Sequence, residues 1–289
     1  MRDDNPFQWL TARSLLFWVF LSIFFFNALA TSFGRAVTDP DVALLLRVWL
    51  YGSLLTWVMW RMVRLDIDEE RLVGRVPPRF PWPAIGGLAL MLALFSLGAA
   101  LVSQYAISLA APQLLAEALK QAKQAEVLQG NARLLYNIGE ALFEILLVPV
   151  TQEVVLRGVL LHRWTVKWGV RRAVLATSLL GTLFGPDLFS YFVLFLVMAA
   201  LYVRMRSLVV PLVCHVLFSL FSLALVVGAD SLAEGPLKEL RTQAMLGGAL
   251  LLITAPPLAR YLRQNWPADE WVAPYFRDGG NPTPKPTQP

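Results

Sequence analysis

Cysteine, histidine and charge are all scarce in this chain of 289 residues. The single cysteine, Cys214, excludes an intrachain disulfide framework and any multi-cysteine zinc site. Two histidines, His162 and His215, exclude a three-histidine metal centre. Charged residues make up only 16% of the chain and hydrophobic residues reach 57%. Soluble domains run near 25% charged. This balance excludes a disordered chain, a fibrous repeat and an ordinary soluble enzyme. The net charge of +5 is not read as a nucleic-acid footprint, because basic loops on a membrane protein produce the same excess.

What the chain has instead is long apolar runs. A bilayer core needs roughly 20 mostly apolar residues per helix. Such runs are Ser14–Phe33, Asp41–Trp60, Pro83–Ala106, Tyr136–Val155, Ala173–Phe184, Leu188–Val203, Leu208–Gly228 and Ala244–Ala259, the fifth shorter than the others. They predict an all-α polytopic membrane protein with about eight transmembrane helices. Lysine and arginine alternate in phase with them. Seventeen fall on one side: Arg2 and Arg13; Arg61, Arg64, Arg71, Arg75 and Arg79; Arg163, Lys167, Arg171 and Arg172; Arg204 and Arg206; Arg260, Arg263, Arg277 and Lys285. Six fall on the other: Arg35, Lys120, Lys123, Arg133, Lys238 and Arg241. The positive-inside bias then places both termini in the cytoplasm. Ala28-Leu29-Ala30 resembles a signal-peptidase site, but the run before it is long and the chain is polytopic, so an uncleaved first span is expected.

This divides the chain into residues 1–135, 136–228, 229–265 and 266–289. The first holds three spans and an amphipathic helix outside the membrane, 112–131, with Leu115, Leu119, Ala122 and Ala125 on one stripe. The second holds spans four to seven. The third holds the eighth span and the loop before it. The fourth is rich in proline, with Gly279-Gly280, and reads as a largely disordered tail.

Ionisable groups inside a membrane are costly and mark functional sites or paired charges. The densest set is Gln152-Glu153-Val154-Val155-Leu156-Arg157, where Glu153 and Arg157 stand at i,i+4 and can pair on one helix face. A neutralising pair that lets a helix end sit in the membrane accounts for the same pattern. His215 lies in an apolar run with Ser219 one turn on; a lone buried histidine serves as ligand, proton carrier or simple structural donor. Glu140 and Glu144, also at i,i+4, read as a polar stripe, and Arg47 snorkels or pairs with one of these acids. Asp187, after Gly185-Pro186, reads as a turn residue, His162 as an interfacial loop residue and Cys214 as a small buried hydrophobe.

Gln152–Trp164 resembles the first motif of the CPBP family, the CAAX-protease and bacteriocin-processing (Abi) membrane proteins, in which the pattern is Glu-Glu-x-x-x-Arg followed by Gly-x-Leu. Arg206-Ser207-Leu208, Pro211 and His215 resemble its third motif. The resemblance covers roughly residues 140–225 and implies a CAAX-protease-like helical bundle that processes a membrane peptide or a prenylated protein tail. It carries catalytic roles onto Glu153, Arg157 and His215. Three slots depart from the pattern. The first glutamate, taken as the base that activates water, is Gln152, and glutamine cannot take a proton as a general base. The Phe-x-x-x-His of the second motif falls on Gly181 and Gly185. The Asn or Asp after the last histidine is Ser219.

The resemblance therefore implies a pseudoprotease that binds a membrane segment or lipid, with Gly185 leaving room in the old cavity. The alternatives are an active intramembrane endopeptidase using Glu153 and His215, with a divalent metal such as zinc and Asp187 as third ligand, and a proton-coupled transporter. Any partner is the bilayer with a membrane peptide or prenylated tail, and no nucleic acid. A bacterial inner membrane is the expected location.

Overall fold

The computed structural model describes residues 6–36, 39–76, 81–117, 130–185, 187–233, 240–268 and 270–277. Among these residues all regular structure is helical. Residues 118–129 of the expected amphipathic helix and 278–289 of the expected tail lie outside them; 112–117 are helical.

A 3-10 turn at Pro6–Trp9 leads to α1 (Ala12–Ser32), started by Thr11, whose side chain accepts from the Ser14 amide at 3.0 Å. α2 (Pro40–Arg64) begins with proline, which needs no amide partner there, and ends on Arg61 and Arg64. The short α3 (Glu69–Val73) is capped by Asp68. α4 is Trp82–Ala110. α5 runs unbroken over residues 130–168, with two π-helical stretches at Phe143–Leu147 and Val154–Leu161. α6 (Val170–Thr182), α7 (Leu188–Met205), α8 (Val209–Ala233), α9 (Leu240–Gln264) and a last turn, α10 (Pro274–Arg277), complete the described elements.

Seven helices among the described residues are long and apolar enough to cross a membrane. The expected fifth span is the exception. α6 has 13 residues, about 20 Å at 1.5 Å per residue, which is short of a bilayer core of about 30 Å. Its far end sits at the level of Gln152: Phe184 lines the same small cavity as Tyr51 and Gln152. α7 then carries the chain back, so α6 is a half-helix folded into the bundle.

α5 and α7 form the buried centre. Leu156 and Leu160 of α5 pack with Phe195 of α7, Leu54 and Val58 of α2, and Phe7. On the other side of α7, Leu194, Met198 and Leu201 meet Leu88 and Leu92 of α4, Cys214 of α8 and Leu258 of α9. α4 and α9 cross most closely at glycines. A Cβ on Gly98 would lie 2.9 Å from the Gly247 carbonyl, and one on Gly247 would lie 2.7 Å from the Gly98 carbonyl. Without a side chain at either position the backbones pack directly, the usual device where lipid supplies no hydrophobic drive. The outer faces stay apolar and exposed, as Phe17, Phe20 and Phe24 of α1 show.

One end of the bundle gathers described loops that carry basic residues of the larger set, among them Arg71, Arg163, Arg171 and Arg204. The Leu208 amide donates to the Val73 carbonyl at 2.7 Å, Arg171 Nε to the Pro267 carbonyl at 3.1 Å, and Arg163 to the carbonyls of Phe7 and Gln8. The segment after α9, expected to be an unstructured tail, is in part packed here. Trp271 Nε1 donates to the Val203 carbonyl at 2.9 Å, Ala273 is buried, and Tyr275 and Phe276 pack on Phe7. Aromatic side chains explain the difference, since they repay ordering a proline-rich segment.

Candidate functional site

α5 presents Gln152, Glu153 and Arg157 toward the bundle interior, and α8 brings His215 to meet them. All four are almost completely buried. Arg157 Nη1 donates to Glu153 Oε1 at 3.1 Å, across one turn of the helix. His215 Nδ1 lies 2.9 Å from the same oxygen. Arg157 also donates from Nη2 to the Phe195 carbonyl at 2.6 Å and stacks its guanidinium on the Phe195 ring, 5.0 Å from the centroid. The Phe195 ring meets His215 edge-on at 5.8 Å. The expected convergence of Glu153, Arg157 and His215 is present, and Phe195 is its unforeseen fourth wall. A carboxylate and a guanidinium buried this deeply survive only as a pair, because removing either partner leaves an uncompensated charge.

Three polar atoms at the site are buried with no hydrogen-bond partner: Glu153 Oε2, Gln152 Oε1 and Arg157 Nε. Gln152 Nε2 donates to the Tyr51 hydroxyl at 3.3 Å, so the side chain in the first glutamate slot is held by α2. Nothing in the sequence singled out Tyr51; a lone hydroxyl in an apolar run was the available signal.

The two glycine slots are not empty space. A Cβ at Gly185 would fall 2.1 Å from the Tyr191 ring, and one at Gly181 would fall 2.5 Å from the Phe195 ring. The expected room at Gly185 is therefore filled. Asp187 caps α7, accepting from the Phe189 amide at 3.2 Å and the Ser190 amide at 3.1 Å, and the first turn of α7 then lays Tyr191 over the glycine. The capping role matches the turn reading of Asp187 and occupies it away from the buried cluster. Among the described residues no three His, Cys, Asp or Glu side chains come together as a metal site. A catalytic zinc takes about three protein ligands, and Glu153 with His215 supplies two that are already bonded to each other. The residues present do not fit that metal.

Ser219 lines a neighbouring cavity of about 290 Å³ with Ser96, Glu144, Tyr191 and Phe218. Arg47 bridges two acids, reaching Glu140 at 2.6 Å and Glu144 at 3.2 Å. His162 departs from its expected place in an interfacial loop. It is fully buried within α5, with Nδ1 2.9 Å from the Arg157 carbonyl and Nε2 3.1 Å from the Tyr202 hydroxyl. Phe7 stacks on its ring, and Tyr275 and Phe276 close the cage. The reason is long-range: described residues before α1 and after α9 fold over a position that local sequence leaves at a helix end. Cys214 is buried, as expected of a small hydrophobe.

This buried Glu–Arg–His cluster lies within a segment that matches a known family. Residues 135–221 match the family model for Rce1-like proteins, type II CAAX prenyl endopeptidase. The Rce1-like segment spans α5 to α8 and so contains Gln152, Glu153, Arg157, Gly185, His215 and Ser219. It bears out the resemblance drawn from the motifs. No curated protein and no solved structure gives a significant match to the chain.

Proposed function

We propose that this integral membrane protein carries a CAAX-endopeptidase-type core whose cutting chemistry has been lost, and that it holds a membrane segment or lipid. The observation that carries this reading is the Tyr191 ring seated on Gly185, where the family pattern has a histidine. Gln152 in the slot of the water-activating glutamate supports it, since an amide has no basic site for a proton. In this reading Glu153, Arg157 and His215 remain as a buried brace between α5 and α8. The basic loops at one end of the bundle favour a cytoplasmic position for both termini, and a bacterial inner membrane is the compartment that suits them. A membrane peptide or a prenylated tail is the expected partner class.

A second reading is favoured by one feature of the site. Glu153 Oε2 has no partner, and His215 sits 2.9 Å from the other carboxylate oxygen. Glu153 would then serve as the base, with His215 holding it.

Purified protein in liposomes, offered a prenylated peptide, separates the two. The wild type is expected to leave the peptide intact. A restored variant, Gln152→Glu with Gly185→His and Tyr191→Ala, is expected to gain cleavage, the last change making room for the imidazole. Wild-type cleavage that disappears in Glu153→Ala would overturn the proposal and establish the second reading.

A further inference from the structure

A half-open cavity of about 290 Å³ beside the matched site is lined by α4, α5, α7 and α8, with one acid, Glu144, at its edge. Its polar atoms are Ser96, Tyr191, Ser219, Ser222 and Glu144; the rest of its wall is alanine, leucine, valine and phenylalanine. The Ser222 hydroxyl is buried and takes no hydrogen bond, whereas Ser96 donates to Ser190 at 3.2 Å. Ser96 lies 14 residues into α4 and Ser219 ten residues into α8, counted from the basic end. At 1.5 Å per residue these two serines lie roughly 15–20 Å along their helices from the basic end. In helices that span a bilayer, that distance passes the lipid headgroups on the basic side and falls within the hydrocarbon core.

Among the described residues the charge at the edge is unbalanced: Glu140 and Glu144 share one cation, Arg47, which holds Glu140 at 2.6 Å and Glu144 only at 3.2 Å. A carboxylate without a full countercharge within a membrane-spanning helix is costly and favours any cation that can reach it. A cavity of this size suits a side chain rather than a whole lipid.

On the reading that the protein holds a membrane segment, we infer that this cavity receives a lysine-type side chain, an ammonium on an apolar stem, from a transmembrane segment of the partner. Ser96, Ser219, Ser222 and Tyr191 offer oxygens to the ammonium protons, and Glu144 supplies the countercharge. The apolar wall covers the methylene stem.

The probes are single-span Leu/Ala peptides in neutral liposomes, identical except for one central position, lysine or norleucine. Fluorescence titration is expected to show at least about tenfold tighter binding of the lysine peptide to the wild type. Glu144→Gln is expected to erase the preference. Ser222→Leu, which fills the cavity and leaves the Arg47 pairs intact, is expected to erase it too. Equal binding of the two peptides to the wild type overturns the inference, as does a preference that survives both variants. Phosphatidylethanolamine vesicles that abolish the preference by competition would assign the cavity to a lipid amine and overturn it as well. Peptide length is read in the same samples. A cut peptide refutes the non-cleaving reading and leaves the lysine preference to stand or fall by itself.

Discussion

Glu153 and Arg157 are wholly buried, and Glu153 answers to two donors through one oxygen. The energetic consequence is asymmetric. Glu153→Gln keeps the shape but strips the charge that balances Arg157, and is expected to destabilise the protein by about 3–5 kcal/mol. Glu153→Leu with Arg157→Met removes both charges and is expected to recover most of that loss. Thermal unfolding in detergent measures both; a Glu153→Gln variant as stable as wild type would mean that the pair is not a brace. The pairing itself was legible, because i,i+4 spacing puts the two on one helix face. The approach of His215, 62 residues later, was legible only through the motif it shares with a family. Tyr191 and Tyr51 were not legible. Each reaches the site from a different helix, and nothing in their own neighbourhoods distinguishes them from other tyrosines in apolar runs.

At the scale of elements, the crossing of α4 and α9 rests on two glycines with no space for a side chain. Gly247→Leu is expected to pry the helices apart and lower stability by about 1–3 kcal/mol or more. Gly248→Leu is the built-in control: a Cβ there meets nothing within 4 Å, so stability is expected to hold. Equal effects at the two positions would mean that the contact lies elsewhere. The helices were readable as apolar runs, and α6 was readable as unusually short. That it ends inside the bundle was not, since run length cannot tell a short span from a half-helix. The π-helical turns of α5 at Phe143–Leu147 and Val154–Leu161 were also invisible. The second of them carries Arg157, and such wide turns recur at functional sites.

For the whole molecule, the alternation of basic loops foretold that both ends of the described chain meet at one end of the bundle. Phe7 and Phe276 pack on each other there. Cysteine labelling tests which side of the membrane that is. Cys214 is fully buried, so it adds no background. A membrane-impermeant maleimide applied to intact cells is expected to modify Ala36→Cys, in the exposed loop between α1 and α2. Arg172→Cys, at the basic end, is expected to react only after permeabilisation. The opposite pattern would invert the topology.

The aromatic cage around His162 has a consequence for biosynthesis. Phe7 precedes α1, while Tyr275 and Phe276 follow α9. The ring that holds the Arg157 carbonyl therefore cannot be fully enclosed until translation has passed α9. A nascent chain halted before that point would carry a half-covered imidazole.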